Sequence, residues 1–422
     1  MAEKILVFSV ASWNSKVGAN SWATLLERYD SENIASLCIR DEVPDSEVCS
    51  RYFVVSENKI IKSILKRKTK TGREVTASAV AGEDADLREH NERYARMKKK
   101  RRYSMLLARE LIWKVGRWKT PELDAFLDDF KPDVILHSME GYIHLNRIIE
   151  YAIRRTGARV VGYIWDDNFT YKQSERLGYK LYRFFQRGSL KRLAKKTENF
   201  FAISPMTKAE ADAFFGIDCH LLTKPLNTVP TVRYGEIGEP MQILYTGNLY
   251  IGRDRSLLRV IEAVKQLPRG RFFIDVYTNS QMDEAFLSQI DGEICRIHPP
   301  IPQAEVLEKQ READILLFLE DIDGPDARVA RLSFSTKITD YLSAGKCILA
   351  VGNPDTAPMQ YFRENGAALV CASEEEVHDA LSSVLEDPSL LIRTAEGAVS
   401  AGRAHHNKED ILGTFDRVIL KN

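Results

Sequence analysis

The feature that most constrains this chain is an alternation of short apolar runs with helical stretches, played through twice. In the first half, KILVFSV (4–10), IASLCI (34–39), DVILH (133–137), RVVGYI (159–164) and FFAI (200–203) are brief and rich in Val, Ile and Phe. Such runs predict buried strands. Helical stretches lie between them, notably 141–156 and 206–215. After residue 240 the theme returns with MQILYTG (241–247), FFIDVYT (272–278), ICRIH (294–298), ADILLFL (313–319), CILAVG (347–352) and AALVC (367–371). Strands alternating with helices imply an α/β class with parallel, doubly wound sheets. A chain of 422 residues is too long for one core, so two such domains are expected.

The boundary between them is marked by composition. Residues 223–240 (TKPLNTVPTVRYGEIGEP) hold three prolines and two glycines without apolar periodicity, the signature of a linker. The expected organisation is a first domain over 1–222, the linker 223–240 and a second domain over 241–406. An amphipathic helix over 407–422 is expected to cross back to the first domain. Residues 57–130 break the rhythm with a long, basic, mostly helical insertion. No repeat of solenoid period is present.

Composition excludes several classes. No apolar run approaches the length of a transmembrane helix, and the start, MAEKILVFSV, lacks the layout of a signal peptide. Six cysteines lie far apart with no CxxC pair, which predicts reduced thiols and a cytoplasmic protein. The eight histidines show no metal-ligand spacing, so neither a metal nor a cofactor is expected. Net charge is zero but unevenly spread: residues 59–119 carry 19 Lys/Arg against 7 Asp/Glu. Asymmetry of that kind speaks of partners rather than of fold.

Ligands of doubly wound sheets bind outside the carboxyl ends of the strands, so strand-to-helix turns are where chemistry is sought. The second half offers two. In YTGNLYIGRD (245–254), Gly247 permits close backbone approach, and Arg253 lies ahead of a helix expected to start near Ser256. An arginine there can hold a phosphate through paired hydrogen bonds, or be an ordinary surface residue. In LSFSTKITDYLSAGKCILA (332–350), a helix runs from Lys337 to Ala344, is stopped by Gly345 and is followed by a strand. Ser335 and Thr336 stand at its entrance, followed by the cation Lys337. A positive charge at a helix N-terminus opposes the macrodipole, and an anion resting there would remove the conflict. The competing account is a plain N-cap. Two anion sites on adjacent turns suggest a diphosphate.

These two stretches resemble the nucleotide-sugar-binding domain of GT-B glycosyltransferases, especially the family-4 type. The family's diphosphate turn, G-[RN]-L-x-x-x-[KR], is matched by GNLYIGR (247–253), with Asn248 and Arg253 at its basic positions. Its helix E-A-M-A-x-G-x-P-[IV] is matched by DYLSAGKCI (340–348), which implies Asp340 at the ribose hydroxyls. The entrance S-x-K (Ser335, Lys337) resembles a variant among bacterial polysaccharide glycosyltransferases and implies phosphate contacts from Thr336 and Lys337. The chain departs from the pattern at Leu332, where the family's first glutamate stands, and at Cys347, where it writes proline. The implied fold is two doubly wound Rossmann-like domains facing a central cleft. The implied donor is a UDP- or GDP-sugar, with no metal required.

In the first half the resemblance is looser. FAISPMTKAEADAFFGIDCHLLTKPLN (201–227) is similar to the family's segment before the donor domain, and GANSW (18–22) to the loop over the donor sugar, which implicates Gly18. VVGYIWDDNF (160–169) stands where the family often writes a strand ending in His-Asp; here Trp165 is followed by Asp166 and Asp167. Two carboxylates at a strand's carboxyl end can orient or activate an acceptor hydroxyl, or one can simply cap the next turn. Adjacent residues on a strand point opposite ways, so at most one would serve. His137, closing its strand, is better explained as a satisfied structural histidine.

The expected function is transfer of a sugar from a nucleotide sugar to an acceptor hydroxyl with retention of configuration. Lys337 and Arg253 would offset leaving-group charge. The acceptor would be a glycan or a lipid-linked glycan. Residues 172–196 combine nine Lys/Arg with aromatics. With 59–119 they could rest on the inner face of a membrane. The alternative is a solvated basic face over a core-facing aromatic stripe. Two other functions stay open: a nucleotide-sugar epimerase on the same fold, and a non-catalytic nucleic-acid-binding protein. No RRM, KH or helix-turn-helix signature supports the last, so no nucleic acid is expected.

Overall fold

The structure is a computed structural model that describes residues 3–11, 13, 21–40, 44–66, 68–76 and 103–421. They form two compact units, Met1–Leu222 with Leu412–Asn422, and Thr223–Ile411. The first unit is built on an eight-stranded sheet in the order β4-β3-β2-β1-β5-β6-β7-β8. Its strands are β1 (Ile5–Ser9), β2 (Ile34–Cys38), β3 (Arg51–Val55), β4 (Gly72–Thr76), β5 (Val134–Ser138), β6 (Arg159–Ile164), β7 (Asn199–Ala202) and β8 (His220–Leu221). All pair in parallel except β4, which runs antiparallel to β3 at the sheet's edge.

Three of these strands, β3, β4 and the two-residue β8, were not among those expected. β3 follows β2 with no intervening helix, so the strand–helix rhythm hides it. β4 lies inside the segment expected to be mostly helical, and its edge position spares GREVT from the apolar composition of a buried strand. Apart from short connections, the rest of the described insertion is helical. Helix Pro121–Phe130, capped by Thr120 through the amide of Leu123, is the ordinary crossover into β5.

The second unit carries a fully parallel sheet, β11-β10-β9-β12-β13-β14. Its strands are β9 (Met241–Thr246), β10 (Phe272–Tyr277), β11 (Cys295–His298), β12 (Ile315–Leu319), β13 (Cys347–Val351) and β14 (Leu369–Cys371). β12 (ILLFL) and β13 (CILAV) are buried throughout, because helices cover both faces. The two-residue period divides their side chains. Leu317 and Leu349 join Val260, Ile261 and Val377 on one face, whereas Leu316 and Ile348 join Ile338, Tyr341 and Leu342 on the other. Strand order reverses direction at β9 and β12, which makes the carboxyl ends of that pair the sheet's crevice.

Residues 223–240 pack onto this unit. Tyr234 donates its hydroxyl proton to the carbonyl of Asp314 and accepts from the amide of Cys347. Gly345, with φ of 71°, ends its helix in the left-handed region, and a Cβ there would meet the Thr231 carbonyl at 1.8 Å. The last helix, Lys408–Leu420, ends in the first unit, where Phe415 stacks on Phe201 and Asp416 accepts from the Tyr29 hydroxyl. Six free cysteines are buried. Among the described residues no helix is long and apolar enough to cross a membrane, and no three His, Cys, Asp or Glu side chains are grouped to hold a metal ion.

Candidate functional site

At the crevice of the second sheet, β9 runs into Gly247, whose φ of 133° is one that L side chains rarely adopt. A Cβ at that position would fall 2.4 Å from both Cε and Nζ of Lys337. The glycine therefore opens the space that the lysine side chain occupies. Lys337 begins helix Lys337–Ala344, and its amide donates to Ser335 Oγ at 3.3 Å. Its Nζ donates to the Tyr245 hydroxyl at 2.8 Å, and that hydroxyl donates in turn to the carbonyl of Asn248 at 2.6 Å. The side chain of Asn248 is exposed, as is Thr336.

Arg253 is the first residue of helix Arg253–Lys265, which starts three residues earlier than the sequence suggested because the left-handed Gly252 turns the chain into it. Its Nε donates to the Leu319 carbonyl at 3.0 Å and its Nη2 to Glu320 Oε1 at 2.9 Å. Glu320 directly follows β12 and is only 3% exposed; its Oε2 has no hydrogen-bond partner among the described residues. Burial, reinforced by the nearby charge of Arg253, pushes the Lys337 ammonium down to about 7; Glu320 and Asp340 oppose that shift.

Asp340 follows Lys337 by one turn of the helix. Its Oδ1 lies 3.7 Å from Lys224 Nζ, which also points at the Thr336 carbonyl at 3.5 Å. Burial raises the Asp340 carboxyl, with Lys224 and Lys337 pulling the other way. Gly247, Arg253, Ser335, Thr336, Lys337 and Asp340 thus all come from turns around one crevice. Leu332 is fully buried and apolar, so no acid reaches the crevice from that position.

Three further residues pair with these side chains and are not marked by the sequence pattern. Glu320 is the first residue beyond ADILLFL, and the rule that drew attention to Gly247 would have found it. Tyr245 stands in the sequence where the strand 241–247 meets the turn 245–254, with nothing to mark its hydroxyl as a partner of Lys337. Lys224 was hidden in the linker-like segment.

The first unit presents a different arrangement. Asp167 is 1% exposed and accepts from both the amide and the hydroxyl of Thr170. It closes the turn after β6, which is the capping account of this residue. Asp166 beside it is exposed. Glu140, two residues beyond β5, accepts from Ser138 Oγ at 3.1 Å. Its carboxyl is pushed up to about 7 by burial first and then by the negative charge of Asp166. His137 is buried with Nδ1 near the Ser138 carbonyl and Nε2 near Thr197 Oγ1, and burial lowers it to about 4, as a structural histidine requires. Gly18 lies outside the described residues.

No family model and no curated protein matches the chain. Solved structures do. HepE of Anabaena, in complex with UDP and glucose, superimposes with a TM-score of 0.62 at 10% identity over 100% of each chain. Sucrose-phosphate synthase from Thermosynechococcus elongatus gives 0.60 at 10% identity, covering 99% of this chain and 98% of its own. The lipopolysaccharide outer core galactosyltransferase WaaB, in its apo form, gives 0.58 at 13% identity over 99% of both chains. With its two doubly wound sheets and this likeness, the chain has the GT-B fold.

Proposed function

We propose that the protein transfers a sugar from a nucleoside diphosphate sugar to an acceptor hydroxyl. The observation that carries this reading is the placement of Lys337 and Arg253 at the crevice of the second sheet, the lysine side chain lying in the space that Gly247 leaves. Two cations beside a helix N-terminus suit a diphosphate, whose charge grows as it departs. Asp340, one turn on, suits ribose hydroxyls, since a carboxylate accepts from two neighbours at once. HepE binds UDP, which favours a uridine nucleotide here.

In the reaction, the bond from the anomeric carbon to the β-phosphate oxygen breaks and the acceptor oxygen bonds to that carbon. Its proton passes to the departing diphosphate on the same face, so configuration is retained. Glu140 and Asp166 offer the first unit's carboxylates to acceptor hydroxyls. The acceptor is a glycan, free or lipid-linked, met in the cytoplasm.

A thermal-shift series with nucleoside diphosphates tests the donor site. A ligand at about 100 times its Kd stabilises the folded state by about 2.7 kcal/mol. UDP is expected to raise the transition, and Lys337→Ala to remove most of the rise. If no nucleoside diphosphate shifts it, the assignment fails.

A further inference from the structure

Solvent reaches 18 large apolar side chains among the described residues, and nine of them lie on three helices of the first unit. These are Glu57–Leu65, Tyr103–Val115 and Leu177–Ala194, the second packing against both of the others. Ile64 and Leu65 project from the end of the first, with Leu65 90% exposed. Leu111 and Val115, each 60% exposed, lie on the outer face of the second. On the third, Leu181, Phe184 and Phe185 share one side, with Phe184 62% exposed. Tyr179 and Tyr182 of the same helix turn inward. The aromatic content of 172–196 is therefore divided, and only part of it belongs to the core.

The charges on these helices divide just as sharply. Only two acids occur in them, and both turn inward. Glu57 accepts from Arg109 and from Trp113 Nε1, while Glu110 lies 3.0 Å from His144 Nδ1. The exposed charges on these helices and at their ends are cationic: Lys114 and Lys191 lie on the second and third, and Lys66 and Lys195 directly follow the first and third. The exposed acid just ahead of the third helix, Glu175, is neutralised by Lys180 at 2.7 Å. Apolar residues edged by lysines, with carboxylates withdrawn, fit an anionic surface that is oily beneath. A water-facing helix layer would have no use for Phe184 and Leu65 in those positions.

We infer that these three helices form a docking face for an anionic lipid bilayer, with Leu65, Leu111, Val115, Phe184 and Phe185 entering the interface and the lysines meeting headgroups. The inference adds to the proposed function only where the acceptor is met. Its assay needs no turnover, so either can fail without the other.

The test is co-sedimentation of the full chain with phosphatidylcholine vesicles, with and without phosphatidylglycerol. Binding is expected only with phosphatidylglycerol and should weaken as salt rises. Phe184→Ser with Phe185→Ser should lower it about tenfold or more. Lys191→Gln with Lys195→Gln should lower it about thirtyfold, at roughly fivefold per cation near an anionic surface. Both pairs are solvent-facing, and an unchanged melting temperature without any ligand would confirm that the variants fold. Absence of vesicle binding by the parent protein overturns the inference, as does equal binding by the phenylalanine variant. So does a dimer in sedimentation that the phenylalanine variant dissolves, which would assign the face to a second copy.

Discussion

Lys337 donates to the hydroxyl of Tyr245 at 2.8 Å across the bare α-carbon of Gly247, so its ammonium is positioned before any ligand arrives. The arrangement is electrostatically uneasy. The cation sits at a helix N-terminus, next to Arg253, and is largely removed from water. On the proposed donor assignment, an incoming diphosphate would relieve each of these conflicts at once.

The first prediction follows from the lysine's titration. In the ligand-free protein it loses its proton near pH 7, well below an ordinary lysine. A bound diphosphate favours the ammonium and moves that point upward, so binding above pH 7 takes up a proton. UDP affinity should therefore fall about tenfold per pH unit above 7, until the bound-state value is reached. Calorimetry in buffers of different ionisation enthalpy should register up to one proton taken up. Lys337→Arg keeps its charge and should flatten the profile.

Arg253 and Glu320 make a second, separable prediction. Each is the other's buried counter-charge, at 2.9 Å. Removing the arginine alone leaves Glu320 unpaired, which costs about 3–5 kcal/mol. Arg253→Met should thus lower the melting temperature as well as UDP affinity. Adding Glu320→Leu should restore much of the stability and none of the affinity. Recovery of both by the double variant would mean that the arginine serves the fold rather than the nucleotide.

The skeleton of the second unit was legible because its signals are local. The six expected strands of that unit are present, and Lys337 to Ala344 is helical up to a left-handed Gly345. Gly247, Arg253 and Lys337 could be singled out since residue type and strand end coincide in one short stretch. Glu320 and Lys224 were not legible in the same way. Their importance lies in what they oppose across the fold, Arg253 in one case and Asp340 in the other, and pairing at a distance leaves no periodicity. β3 and β4 escaped for a related reason: strand identity there comes from neighbours in the sheet rather than from the run's own composition. Asp167 stayed open in the sequence, because a carboxylate at a strand's end looks alike there whether it faces a ligand or closes a turn, and in the fold it accepts from Thr170.

Asp340 yields a prediction about which part of the nucleotide it touches. A hydrogen bond to a charged group contributes about 1.5–3 kcal/mol. Asp340→Asn should weaken UDP binding by roughly tenfold or more at that value, and should leave inorganic pyrophosphate binding unchanged. The discrimination between UDP and its 2′,3′-dideoxy analogue should shrink to the same extent. Equal loss of pyrophosphate and UDP would instead mean that the carboxylate acts by holding Lys224 and the helix entrance in place.

The carboxylates of the first unit separate by the kind of damage their loss causes. Asp167 closes a turn through two hydrogen bonds to Thr170, so Asp167→Ala should cost about 1–2 kcal/mol of stability. Asp166 acts on Glu140 instead: burial is the main cause that pushes the Glu140 carboxyl up to about 7, and the negative charge of Asp166 adds to it. Asp166→Asn removes that charge, so Glu140 should titrate lower, which carbon-13 NMR of labelled glutamate would detect. The sign for stability is equally definite. A carboxyl raised in the folded state binds a proton that the unfolded chain has already lost between the ordinary glutamate value and 7, so its contribution to stability fades as pH rises through that window. Glu140→Gln should therefore stabilise the protein relative to the parent at pH 8 and have little effect at pH 4. If the variant is no more stable at pH 8, Glu140 is an ordinary solvated acid and has no part in the acceptor site.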